Sequence, residues 1–359
     1  MHSISFVCGS KIYDGIYRSG LLIYDALVSG GFDITWYQCT DGTAAGQFPE
    51  GSIVVRGTGL LGSTFSMGYN RLISFPRKMR EVKGDLTLLM DPTLLRVEKQ
   101  DDRRIVKIHD LRPFTEYSDK FATKLMFRYA IPRLKKSRAV IVTTDYLKGL
   151  LGERGFDEDR VHVIPETSHV QGGGREHLTE SLKRATGDEP LTLLCVSTDR
   201  PYKHVELFLR LTGHLLREDR DKFRFILVSK LKKPNLELAA SIPGGKLEII
   251  ADVEDISAAY QRSDILIFPS SFEGFGIPLV EAMSKGMPVV ARSIPVTREI
   301  VGDAGRFVEG NDLSIWAEQI HKLSNPSEYT RIAENALKRY MLFDRESYRR
   351  NVVSLFSRL

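Results

Sequence analysis

The sequence predicts an α/β chain folded as two domains, each a doubly wound parallel sheet, facing one another across a cleft. Three observations support this. Short β-branched or apolar runs alternate with longer stretches of helical spacing, the rhythm of βαβ units. Eleven such runs occur, too many for one small sheet. A polar interval over 166–190, carrying Gly172-Gly173-Gly174 and Thr186-Gly187-Asp188, divides them.

In the first half the runs lie at 4–7, 52–55, 86–90, 105–108, 139–143 and 161–164. In the second they lie at Leu191–Val196, Phe223–Val228, Leu247–Ile250, Ile265–Phe268 and 288–291. Most are continuous Val, Ile, Leu and Phe, as expected of strands covered on both faces. Helical spacing appears at 20–28, 119–130 and 205–216, and again over 342–359, where Tyr348, Val352, Val353 and Phe356 share one face. The expected organisation is therefore a Rossmann-like domain over 1–168, a linker over 169–189 with a short helix at 176–184, and a second Rossmann-like domain over 190–342. A last helix follows at about 343–359. Both domains would offer ligands the carboxyl ends of their strands, and the cleft is the default site.

Composition narrows the class. The 359 residues are 42% hydrophobic, 27% charged and 9% aromatic, an ordinary globular balance. No run approaches the ~18 apolar residues of a membrane span. The start reads as a first strand rather than a signal peptide, and three scattered cysteines make neither a disulfide framework nor a zinc site, so a cytoplasmic setting is expected. The net charge of +5 permits an anionic partner without naming one. Nucleic acid is not expected, since no helix-turn-helix, zinc or aromatic RNA motif is present.

The informative stretch runs from Asp264 to Met283. A buried strand, Ile265–Phe268, ends at Pro269 and empties into a loop carrying Gly274 and Gly276. Pro278 suits the first turn of a helix, and Gly286 with Pro288 supplies a stop. Backbone N–H groups from Gly274 to Ile277 would point out of the helix start toward phosphate or sugar oxygens. Glu281, expected in the first turn and favoured there by the helix dipole, can accept two hydrogen bonds from a vicinal diol such as a ribose. Glu273 can face a second hydroxylated group. Two acids eight residues apart, on either side of an amide-lined turn, suit a nucleotide sugar.

This segment resembles the signature of the retaining, nucleotide-sugar-dependent glycosyltransferases often called family four, of the GT-B fold. The pattern is Pro269-Ser270, then Glu273-Gly274-Phe275-Gly276-Ile277-Pro278, then Glu281-Ala282 and Gly286-Met287-Pro288-Val289. Gly302-Asp303-Ala304-Gly305 looks like a downstream loop of the same family. The resemblance implies that Glu281 holds the nucleotide ribose and Glu273 the donor sugar. The amides of Phe275, Gly276 and Ile277 would bind sugar hydroxyls or the pyrophosphate. It also implies that the last helix crosses back onto the first, acceptor-side domain.

Other positions answer to that reading. After Leu191–Val196 the family has Gly-Arg and then Lys-Gly; here Ser197-Thr198 and Lys203-His204 stand instead. Lys203 carries over as the diphosphate cation, and Arg200 is expected to substitute for the missing arginine. His109-Asp110-Leu111-Arg112-Pro113 resembles the family's cleft motif, whose histidine contacts the donor sugar; Asp110 reads as a local loop organiser. Gly15, in the loop after the first strand, would allow close approach to the diphosphate or acceptor, although only one glycine of the usual pair is present. The glycine string 56–62 reads as an acceptor-side loop, and 251–255 as the loop that meets the base through its backbone.

The expected chemistry is transfer of a hexose, with mannose the best guess, from a nucleoside-diphosphate sugar to a hydroxyl of a glycan or lipid-linked acceptor. Lys203, Arg200 and the helix amides would stabilise the leaving group without a metal or cofactor. The stretch 120–138 holds seven basic residues and no acid, with Phe121, Leu125 and Phe127 among them, either a solvated face or a peripheral contact with anionic membrane. Alternatives are an epimerase or phosphorylase on the same double fold, or a non-catalytic nucleotide- or nucleic-acid-binding protein.

Overall fold

The computed structural model describes residues 2–9, 15–40, 48–57, 69–79, 84–117, 121–170, 173–186, 189–251 and 255–359. Packing divides the chain into two compact units, 1–166 with 346–359, and 167–345.

The first unit is built on seven parallel strands: β1 (Ser3–Cys8), β2 (Asp33–Thr40), β3 (Ile53–Arg56), β4 (Leu86–Leu89), β5 (Arg104–Lys107), β6 (Ala139–Val142) and β7 (Val161–Val163). Their order is β3-β2-β1-β4-β5-β6-β7, so the winding reverses between β1 and β4. Because side chains alternate along a strand, the sheet carries one core on each face. Ile4, Phe6, Leu86, Leu88, Ile105 and Ile141 pack with Ile23 and Leu27 of helix Gly15–Ser29. Val7, Leu89, Val106, Val140 and Val142 pack with Ile131 and Leu134 of helix Phe121–Leu134 and with Leu147 and Leu151 of helix Asp145–Gly152. Helix Arg345–Arg358 buries Tyr348, Val352, Leu355 and Phe356 in the first of these cores. Gly30 makes that approach possible, since a Cβ there would lie 2.7 Å from Val353.

The second unit holds β8 (Leu191–Val196), β9 (Phe223–Val228), β10 (Leu247–Ile250), β11 (Ile265–Phe268), β12 (Val289–Arg292) and β13 (Gly305–Val308). They too are parallel, in the order β10-β9-β8-β11-β12-β13, and the winding reverses between β8 and β11. Helix Val205–Glu218 places Val205, Phe208, Leu209, Thr212 and Leu216 at the i, i+3, i+4 spacing that makes one buried stripe. It covers the face of Leu193, Phe225 and Ile267. The other face, with Leu194, Leu266, Val289 and Ala291, receives Leu279, Val280 and Met283 of helix Ile277–Ser284.

Three differences from expectation have physical reasons. β2 is absent from the eleven runs because Asp33, Thr35, Gln38 and Thr40 interrupt its apolar residues. β13 is absent because it opens on Gly305 and Arg306. The stretch expected as a linker, 169–189, folds as part of the second unit. Its helix Gly174–Thr186 packs Leu178, Leu182 and Ala185 on the core there, and Arg184 bonds the buried Asp264 at 2.9 Å. An amphipathic stripe and a buried anchor make the segment structural, in spite of its polar composition.

Candidate functional site

In an open parallel sheet the loops diverge where the winding reverses, leaving a crevice at the carboxyl ends of the strands. In the second unit this point lies between β8 and β11, and the sequence-predicted donor residues leave these two strands. After β8 comes a 3-10 turn, Pro201–Lys203, and then His204 with φ 49°, the sole non-glycine of positive φ among the described residues. An L-residue held in this region is strained, and such strain persists only where the surroundings over-determine it. Here they do: the His204 ring lies 3.1 Å from Glu206 Oε1 and 3.1 Å from Ser271 Oγ, and the Ser271 amide donates to the Tyr202 carbonyl at 2.8 Å. The loops after β8 and β11 are thereby zipped together. Lys203 closes the turn, two residues before helix Val205–Glu218 begins.

That zipper brings Lys203 onto Glu273. The ammonium donates to both carboxylate oxygens, at 2.6 and 2.8 Å, with 19% and 8% of the two side chains exposed. Beyond Glu273 the chain turns at Gly276, φ 93°, where a Cβ would lie 2.8 Å from Leu279 Cδ1, so both conformation and space demand glycine. Phe275 sends its ring into the core against Phe343 and leaves only its backbone at the turn. Helix Ile277–Ser284 then begins with Pro278 in its first turn.

Glu281 differs from expectation. It is the fifth residue of the helix, not in the first turn, where the dipole acts. It is 2% exposed, and the Tyr260 hydroxyl donates to its Oε2 at 2.7 Å. Burial and the facing carboxylate push the Tyr260 phenol well above its ordinary range, so it remains a donor. Arg200 is exposed and donates to the Tyr202 hydroxyl at 3.3 Å. Asp199 beside it accepts from the Lys232 amide and Asn235, joining the loops after β8 and β9.

In the first unit, His109 follows the end of β5. Lys107 and Glu166 form a fully buried ion pair at 2.7 Å, and Ser19 donates to the same Glu166 oxygen at 2.8 Å. His109 Nδ1 is 3.9 Å from that oxygen. Burial above all, then the Lys107 charge, pushes the imidazole down to about 4, with Glu166 opposing. It is therefore neutral at physiological pH, and its Nε2 meets no hydrogen-bond partner among the described residues. Asp110 accepts the Arg112 amide at 2.8 Å and so orders its own turn. Gly15 opens helix Gly15–Ser29 with nothing near its Cβ position, so no described protein atom demands glycine there. At the β1–β4 reversal Arg71 bonds the Gly9 carbonyl at 3.1 Å and also Asp91 and Thr93.

Sequence reasoning missed Tyr260, Glu166, Lys107 and Arg71. Glu166 alone left a signal, as an acid just beyond a predicted strand. Most of the 56–62 and 251–255 loops lies outside the described residues. Among the described residues no group of three His, Cys, Asp or Glu could hold a metal ion, and no helix is long and apolar enough to cross a membrane.

A family model described as "Glycosyl transferases group 1" matches residues 190–325. The chain is 23% identical over 243 residues to the O-antigen chain mannosyltransferase RfbU of Salmonella typhimurium strain LT2, covering 66% of this chain and 65% of that one. It thus spans less than two thirds of that relative's length. Among solved structures it is similar to WaaG, a glycosyltransferase involved in lipopolysaccharide biosynthesis, with a TM-score of 0.76 and 16% identity over 98% of this chain and 99% of the other. It is equally similar to Anabaena HepE in complex with UDP-glucose, with a TM-score of 0.76, 16% identity and full coverage of both chains, 100% and 100%. These likenesses assign the GT-B fold, two parallel-sheet α/β units in one chain.

Proposed function

We propose that this chain, whose residues 190–325 form a group 1 glycosyltransferase domain, moves a hexose from a nucleoside-diphosphate sugar to a hydroxyl of a glycan or lipid-linked acceptor, with retention at the anomeric carbon. The Lys203–Glu273 pair beside the Gly276 turn, at the reversal between β8 and β11, carries the reading. A cation and an anion held together at a strand-end crevice can separate onto a ligand that bears both charge and hydroxyls. Lys203 would take the diphosphate and Glu273 the sugar hydroxyls. Glu281 would take the ribose diol, with Arg200 and the amides of Gly274, Phe275, Gly276 and Ile277 around the pyrophosphate. Charge developing on the leaving diphosphate is where fixed cations and amides lower the barrier most. His109, neutral and with an unbonded Nε2, would bond a donor-sugar hydroxyl. No metal or cofactor enters this scheme.

Mannose is the first choice of sugar because the relative named above is a mannosyltransferase; HepE with bound UDP-glucose makes UDP-glucose the second donor to try. The test is release of nucleoside diphosphate from GDP-mannose, UDP-glucose and ADP-glucose, with and without EDTA and inorganic phosphate. Release from one of them, unaffected by EDTA, is expected. Cleavage that requires phosphate would make the chain a phosphorylase, and no release from any donor refutes transfer. A peripheral contact with anionic membrane at the cytoplasmic face belongs to the same proposal. Helix Phe121–Leu134 exposes 82% of Phe121 and 58% of Leu125 among its cations, a face fitted to anionic lipid.

A further inference from the structure

We infer that Tyr260 is a positioning residue for Glu281, and that the helix 174–186 braces the two through His177. Together they set how strongly the site distinguishes a ribonucleoside diphosphate from its 2′-deoxy counterpart. The inference rests on the reading of Glu281 as the ribose ligand.

A carboxylate grips a vicinal diol well only when its plane is held, because both hydroxyls must find lone pairs at once. Glu281 projects from a helix whose dipole does not reach it, and the Tyr260 hydroxyl donates to its Oε2 at 2.7 Å. Tyr260 is itself wholly buried, so its bond is short, protected from water and directional. It sits on Ser257–Gln261, a helix of five residues that buries Ala259 and Tyr260 in the core of the second unit.

His177 adds a polar contact to that short helix. The residue is 1% exposed, and its ring nitrogens lie 3.0 Å from the Lys285 carbonyl and 3.1 Å from the Tyr260 carbonyl. Burial lowers the pKa of this ring, so it carries a single N–H and donates to one of these carbonyls while packing against the other. It lies wedged between the backbone of the residue that donates to Glu281 and the end of the helix that carries Glu281. A segment whose composition reads as a tether is here the element that registers the two helices.

The test compares dissociation constants for GDP and UDP with those for dGDP and dUDP in wild type, Tyr260→Phe, Glu281→Gln and the double variant, each checked for an intact thermal transition. Wild type is expected to prefer the ribonucleotide at least tenfold. Y260F should lose most of that ratio while binding the deoxynucleotide as wild type does, and in the E281Q background it should change nothing further. A residue that merely supported the fold would weaken both nucleotides alike. If Y260F does not fold, His177→Gln, which keeps the hydroxyl and loosens the brace, should lower the ratio severalfold. A wild-type ratio in folded Y260F, with the ratio lost in E281Q, overturns the positioning role and leaves the ribose reading standing. A wild-type ratio in E281Q overturns the ribose reading, and so does failure of wild type to bind either diphosphate.

Discussion

Two lysine–glutamate pairs sit at the carboxyl edges of the two sheets, and they are opposites. Lys107–Glu166 in the first unit is closed off, with 0% and 3% of its side chains exposed; Ser19 bonds both partners, and Glu166 Oε2 meets no hydrogen-bond partner among the described residues. Lys203–Glu273 in the second unit keeps 19% and 8% exposed, beside a glycine turn. The same chemistry therefore serves two ends. A pair without access to water cannot exchange partners, and it contributes by fixing the groups bonded to it, Ser19 among them. A pair at a loop edge can give up its mutual bond to a ligand bearing both kinds of partner.

Breaking the closed pair should have the largest effect on stability. Glu166→Ala would leave the Lys107 ammonium buried without its counter-charge, at a cost of about 3–5 kcal/mol. Chemical denaturation would show this, and a loss below about 1 kcal/mol would mean that water reaches the site. Next comes His109. Its folded value of about 4 lies below the ordinary 6.5, so the unfolded chain binds the proton first. The stability it contributes is complete above pH 6.5 and is lost as pH falls toward 4. At about 1.4 kcal/mol per pH unit, up to about 3 kcal/mol is lost across that window. His109→Phe should reduce the pH dependence of unfolding between 6.5 and 4.5, leaving the part owed to His162 and His177, which burial also depresses. That window lies above the range where the depressed carboxyls of Glu166 and Asp91 titrate.

Gly276→Ala strains the turn on which the open pair depends, at about 1–2 kcal/mol for the left-handed backbone together with the contact to Leu279. Calorimetry of this variant beside Gly15→Ala, which meets nothing, separates a required glycine from a tolerated one. The open pair itself should count for less in folding: Glu273→Gln keeps an acceptor for the partly exposed Lys203 ammonium and is expected to cost about 1–2 kcal/mol. The same variant should lower donor turnover about 100-fold, on the scale of losing one transition-state electrostatic contact. Equal losses of stability in E166A and E273Q would erase the contrast between the pairs. The smallest effect on folding belongs to the exposed apolar residues of helix Phe121–Leu134. Phe121→Ser with Leu125→Ser should stay within about 0.5 kcal/mol of wild type and still abolish low-salt sedimentation with anionic vesicles.

The site was legible in the sequence where its determinants are local. Gly276 and Pro278 punctuate a strand–turn–helix within a dozen residues, and the motif around them names Glu273 and Glu281 without any tertiary knowledge. Its support was illegible for the converse reason. Tyr260 meets Glu281 from another helix 21 positions away, and Ser19 meets Glu166 across 147. No periodicity records such pairings. Composition also misled, since Arg175, Glu176, Glu180 and Lys183 are exposed while Leu178, Leu182 and His177 turn in and Arg184 reaches the buried Asp264.

By itself the sequence determined eleven of the thirteen described strands, the glycine turn and the identity of the charged groups, because backbone preference and the apolar period are properties of neighbouring residues. The tertiary structure alone decided which charges are sealed and which remain within reach of a ligand. Burial is set by whatever folds over a residue from elsewhere in the chain, and burial is what seals one lysine–glutamate pair inside the fold and leaves the other partly exposed at a loop edge.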